Sequence, residues 1–101
     1  MSLETSLING GKTLLVKLPT TFDIGIHKEF RELHTELEPT VESFAIDFVD
    51  TQHMDSSALG MLLLLRDELS SGSTDITLIN CSENIKELLR LARFDTLFTV
   101  K

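Results

Sequence analysis

Tryptophan and tyrosine are absent from this 101-residue chain, and six phenylalanines carry all of its aromatic bulk. The large amphipathic rings that stack on sugars or on unpaired bases are therefore missing, which argues against a carbohydrate or base-stacking site. Positive charge is also scarce. Nine Lys and Arg stand against 16 Asp and Glu, for a formal net charge of −7. Such a surface repels a phosphate backbone and an anionic membrane, so neither nucleic acid nor membrane is expected as a partner; a basic protein surface suits it better. The single cysteine, Cys81, can form no internal disulfide and is no metal site by itself. It follows the apolar run Ile76-Thr77-Leu78-Ile79 and reads as a small buried hydrophobe. No apolar run is long: Met61 to Leu65 is far too short to span a bilayer. The first residues lack a basic region followed by an apolar one, so no signal peptide is expected and the chain is read as cytoplasmic.

What is present is ordinary globular material, 42% hydrophobic and 25% charged, enough for one domain over residues 1–101 but not for a deep substrate cavity. Residues 3–9 and 13–18 are strand-like around Asn9-Gly10-Gly11, residues that accept positive φ cheaply, and read as a hairpin. Pro19 ends the second strand. Asp23 is placed to cap a helix over 24–37, with Ile26, Phe30, Leu33 and Leu37 on one face and Pro39 as its stop. Residues 44–49 alternate Phe44, Ile46 and Phe48 on one side of a strand. A helix over 56–70 is closed by Ser71-Gly72-Ser73. Residues 76–79 form a strand, and Ser82 starts a third helix with a core stripe of Ile85, Leu88, Leu89 and Ala92. Leu97 to Val100 make a short last strand. This order predicts an α/β domain with a mixed sheet of four to five strands, an N-terminal hairpin and three to four helices.

The most informative stretch is His53-Met54-Asp55-Ser56-Ser57-Ala58-Leu59-Gly60. With Asp55 as N-cap, its carboxylate accepts from the Ala58 amide, and Met54 and Leu59 form a hydrophobic staple. Capping alone therefore accounts for the local residues. At about 100° per residue, Ala58, Leu62, Leu65 and Leu69 line a core face, while Ser57, Gly60, Leu64 and Asp67 fall opposite, with Leu63 near the border. Either Leu63 and Leu64 are covered by another element, or Met54, Gly60 and Leu64 belong to a docking strip for a partner. A hydroxyl at a helix N-terminus also lies where the backbone favours an anion. A phosphate on Ser57 would bring about −1.5 to −2 charges beside Asp55 and Asp23 and would spoil such a contact.

These residues carry a resemblance. Met54-Asp55-Ser56-Ser57-Ala58-Leu59-Gly60 is similar to the signature of the STAS domain family, in particular of bacterial anti-sigma factor antagonists. So are Ile46-Asp47-Phe48 before it, Thr21-Phe22-Asp23 upstream, and the tail from Ile85-Lys86-Glu87-Leu88-Leu89 through Phe94-Asp95-Thr96-Leu97-Phe98. The resemblance implies partner switching. The unphosphorylated protein binds an anti-sigma factor, a serine kinase of the histidine-kinase-like ATPase fold, and so frees a sigma factor. Phosphorylation of Ser57 blocks binding, and a metal-dependent phosphatase of the PP2C type restores it. Asp55, Ser56 and Asp23 would support the site. Three positions depart from the family pattern: Ala58 stands where glycine is frequent, His53 where an aromatic is, and Thr51 where an apolar residue is usual.

Two other functions compete with this one. A STAS subunit could dock permanently in a transporter or a stress-sensing assembly. A small enzyme could use Ser56 or Ser57 as nucleophile with His53 as base. But no Gly-x-Ser-x-Gly elbow exists, and residues so close along a loop seldom meet productively. His27 and His34, seven apart, give no metal spacing, and Gly10-Gly11 reads as a hairpin turn, not a phosphate cradle. Neither enzymatic activity nor a cofactor is expected.

Overall fold

The computed structural model describes residues 3–34, 40–69 and 75–101. Strands β1 (Glu4–Ile8) and β2 (Thr13–Lys17) pair antiparallel. Asn9, Gly10 and Gly11 all take positive φ in the turn between them, as the sequence requires. The chain then makes β3 (Thr21–Phe22), a 3₁₀ turn (Ile24–Ile26), α1 (His27–Arg31) and a second 3₁₀ turn (Glu32–His34). Strand β4 (Ser43–Asp47) leads through a loop to β5 (His53–Met54) and α2 (Ser56–Leu69). Strand β6 (Asp75–Ile79), α3 (Glu83–Leu91), a 3₁₀ turn (Phe94–Thr96) and β7 (Thr99–Val100) complete it.

The main sheet has five strands in the order β1-β2-β4-β6-β7. Strands β2, β4, β6 and β7 run parallel, so the sheet is mixed. Parallel neighbours need long crossovers, and α1, α2 and α3 lie on the three of them. Register places Val16, Phe44, Ile46, Ile76 and Leu78 on one face, where they join a single core cluster with Phe30, Leu62, Leu65, Ile85 and Leu89 from the helices. Phe44 and Ile46 share the core face of β4 as expected, and Phe48, also buried in that cluster, lies just past the strand, which ends at Asp47 and not at residue 49. Leu15, Ala45 and Thr77 share the opposite face and stand outside it.

Three expectations are corrected. Of the helix expected over 24–37, the described part, residues 24–34, is a 3₁₀ turn, a helix of five residues and another 3₁₀ turn. Asp23 caps the first turn tightly, accepting from the Gly25 amide at 2.9 Å, and Ile26 departs from helical geometry at φ −107°, ψ 15°. Its apolar positions Ile26, Phe30 and Leu33 are nevertheless buried; Leu37 and Pro39 lie outside the described residues, as does the closing Ser71-Gly72-Ser73. Second, Leu88 is 42% exposed, whereas Ile85 and Leu89 are buried and Ala92 half-buried. A nine-residue helix at a sheet edge presents only a narrow stripe inward, and Leu88 falls beside it. Third, the last strand expected over Leu97–Val100 is only Thr99–Val100, because a 3₁₀ turn over Phe94–Thr96 precedes it. In addition, β3 and β5 form a separate two-stranded parallel sheet that no sequence pattern announced.

Candidate functional site

Two helical starts meet at the end of the small sheet. Parallel pairing of β3 and β5 aligns Thr21 with His53 and Phe22 with Met54. The same register carries Asp23 and Asp55 to the adjacent ends of the two strands. Each aspartate then caps the element that follows it. Asp55 Oδ1 accepts from the Ala58 amide at 3.1 Å, as expected of the N-cap of α2. It also accepts from the Ser57 hydroxyl at 2.6 Å, a short charge-assisted bond. These bonds, the serine hydroxyl first and the Ala58 amide second, hold the Asp55 carboxyl below its ordinary range. The bond to Asp55 fixes the direction in which the Ser57 hydroxyl points its proton.

Ser57 is half-buried and Ser56 exposed, both in the first turn of α2. No acidic residue lies within that turn itself; the negative charge at this positive helix end is the capping Asp55 carboxylate. Along the helix, Ala58, Met61, Leu62, Leu65 and Leu69 are buried. Gly60 and Asp67 are exposed, and Leu63 and Leu64 are 42% and 50% exposed. No other described element covers these two leucines, and the docking-strip alternative keeps its physical basis. Leu64 borders a shallow groove with Phe30 and Arg31 of α1 and with Met61, Leu65 and Glu68. Met54 and Leu59 both lie half-buried against the core, as a staple requires.

On the other side of Asp23 an open cleft of about 430 Å³ is lined by Lys17, Leu18, Thr21, Asp23, Ile26 and Asp50, among others. Lys17 and Asp50 form an exposed pair there at 3.4 Å. Cys81 lies away from these features as a buried residue, and burial pushes its thiol up to about 11, which keeps it unreactive near neutral pH. His53 is exposed.

Two polar residues named from the sequence only as part of the resemblance turn out to be buried supports of the loop before α2. Asp47 is buried, and its carboxylate accepts from the Val49 amide at 3.0 Å and from Asn80 Nδ2 at 2.9 Å. Thr51 is buried as well, its hydroxyl donating to the Pro19 carbonyl at 2.9 Å. The available signal was a polar residue in an apolar setting: Asp47 stands between Ile46 and Phe48 in an otherwise apolar run, and Thr51 stands where an apolar residue is usual. No local pattern named their partners, which lie 33 and 32 residues away.

An α/β sheet of this order, with a capped helix opening on a serine pair, is the architecture of the STAS domain. The chain belongs to that family: the STAS domain model matches residues 6–101. A STAS-domain containing protein of Pseudomonas aeruginosa (strain UCBPP-PA14) is 36% identical over 90 residues, covering 89% of each chain. Among solved structures, the anti-sigma factor antagonist SpoIIAA in its unphosphorylated form superposes with a TM-score of 0.74 at 17% identity, covering 98% of this chain and 86% of that one. A sulfate transporter family protein from Wolinella succinogenes superposes at 0.81 with 14% identity, covering 94% and 79%. At these identities the two structures speak for the fold. Among the described residues no helix is long and apolar enough to cross a membrane.

Proposed function

We propose that this chain is an anti-sigma factor antagonist. Its unphosphorylated form binds an anti-sigma factor, itself a serine kinase of the histidine-kinase-like ATPase fold, and a sigma factor is thereby freed. Phosphorylation of Ser57 ends the complex, and a PP2C-type phosphatase restores the binding form. The observation that carries this reading is the Ser57 hydroxyl: partly exposed at the mouth of α2, and oriented by Asp55 at 2.6 Å.

The physics of the switch is electrostatic. Transfer of a phosphoryl group replaces a small donor hydroxyl with about −1.5 to −2 charges. That charge arises beside Asp55 and next to the strand end bearing Asp23, on a chain already at −7. A docked partner would bury like charges together, and each 1.4 kcal/mol so lost is about tenfold in affinity. The domain need not refold, because the helix terminus itself tolerates an anion.

The test is Ser57→Ala against a candidate kinase. Phosphate incorporation should fall to background while partner capture persists. Equal incorporation into wild type and variant would reject Ser57 as the acceptor. A second reading, a STAS subunit docked permanently in a larger complex, is supported by the likeness to the sulfate transporter family protein. It is distinguished by Ser57→Glu, which would leave such a complex intact.

A further inference from the structure

Strands β3 and β5 contribute only two residues each and have little of their own to hold them together. Besides their own ladder, three hydrogen bonds join the residues just before and at their starts. Thr51 Oγ1 donates to the Pro19 carbonyl at 2.9 Å, and the Gln52 and His53 amides both donate to the Thr20 carbonyl, at 2.8 and 3.1 Å. Thr51 is 3% exposed, although its neighbours Asp50, Gln52 and His53 are all exposed. A hydroxyl drawn into the interior must find a partner there, and this one finds it on the segment leading to Asp23. The loop is also anchored from behind. The Thr51 amide donates to the Phe48 carbonyl at 3.0 Å, and Asp47 holds both the Val49 amide and Asn80. Thr51 is thus the side chain that passes an anchorage in the main sheet on to the β3 segment. An apolar residue of the same shape would pack equally well and could not make this link.

We infer that Thr51 is a positioning residue of the switch: its hydroxyl fixes the segment carrying Asp23 against the segment carrying Ser57, so that charge added at Ser57 is felt across residues 20–25. It touches no reacting atom and acts through the backbone of its two neighbours. The inference rests on the reading of Ser57 as the switched hydroxyl.

Its test needs only the full chain, with Ser57→Glu standing in for the phosphorylated state. By amide hydrogen exchange, Thr51→Val lowers protection of the Gln52 and His53 amides about tenfold while that of Ile46 and Leu78 changes less than about twofold. By amide NMR, Ser57→Glu in the wild-type background shifts the Thr21 and Gly25 signals. Adding Thr51→Val cuts those shifts at least about twofold, and Thr51→Ser in its place restores them. Should the valine variant fail to fold, Thr51→Ala and Thr51→Ser form a second pair that differs by the oxygen alone. Equal shifts with and without the hydroxyl, no shift at Thr21 and Gly25 in any background, or serine behaving like alanine each overturn the inference while leaving the assignment of Ser57 untouched. Failure of a kinase to modify Ser57 sinks that assignment and leaves the exchange result as it is.

Discussion

Helices α2 and α3 begin in the same way and end up with different surfaces. Each follows a strand that pairs in parallel, β5 of the small sheet for α2 and β6 of the main sheet for α3, and both have a side chain that satisfies the amide three residues on. In α2 the cap is the Asp55 carboxylate on the Ala58 amide at 3.1 Å; in α3 it is the Ser82 hydroxyl on the Ile85 amide at 3.2 Å. At α3 the serine hydroxyl is itself the cap, and Glu83 fills the first turn with negative charge. At α2 the carboxylate does the capping, so the serine is spared: Ser57 donates outward to that same carboxylate, and the first turn holds no acid. One rule of helix chemistry therefore uses up the serine hydroxyl as the cap in one place and, in the other, leaves a serine hydroxyl that caps nothing beside a carboxylate that does. A serine is poised for modification by what else satisfies the backbone around it. Ser82 is the internal control for Ser57.

The largest effect expected from this contrast is on partner binding. If the proposed partner is an anti-sigma factor, Ser57→Glu weakens its capture by about a hundredfold or more, roughly 2.7 kcal/mol, whereas Ser82→Glu leaves it unchanged. Calorimetry on both variants decides it, and equal losses would erase the distinction. Next come the exposed leucines. Leu64→Glu weakens the same complex about tenfold, Leu88→Glu does not, and neither alters stability by more than about 0.5 kcal/mol. A large drop in the denaturation midpoint for Leu64→Glu would show it to be a core residue. Third, Ser82→Ala removes a cap and costs about 1 kcal/mol in urea unfolding, while Ser57→Ala, which leaves the Asp55–Ala58 cap in place, costs less than about 0.5 kcal/mol.

The smallest effect is in acid. The Asp55 carboxyl is held below its ordinary value of 3.8 in the folded chain. A depressed folded value contributes stability that is present above the unfolded value and lost as pH falls through the folded one, so the window lies below about 4. Ser57→Ala removes the largest cause of the depression. The Asp55 midpoint, followed by carboxyl carbon NMR, therefore moves up toward the ordinary value. A midpoint that stays put would mean that the serine bond is not what holds it down.

Several features were legible before any coordinates. The hairpin turn at Asn9-Gly10-Gly11, the Asp55 cap and the inward face of α2 each follow from residues within four or five positions of one another, where backbone sterics and helical periodicity operate directly. Other readings failed for definite reasons. The pattern Ile26, Phe30, Leu33 correctly named buried residues, but periodicity reports which side is apolar and not whether the helix is continuous across a tight Asp23 cap. Leu88 looked equivalent to Ile85 and Leu89 because a sequence stripe carries no information about how wide a surface the sheet edge offers. Strands β3 and β5, at two residues apiece, are too short for any alternation to register.

Alone, the amino-acid order determined the local devices of this STAS domain: where helices start, which side chains turn inward, and that a serine follows the capping aspartate by two residues. These are short-range consequences of backbone geometry and side-chain polarity. Only the tertiary structure decided that the strand ends leading to Asp23 and Asp55 pair side by side, that Thr51 reaches Pro19, and that Leu63 and Leu64 stay 42% and 50% exposed. Those outcomes depend on which strands pair and which surfaces are filled, and the contacts that settle them join residues some thirty positions apart.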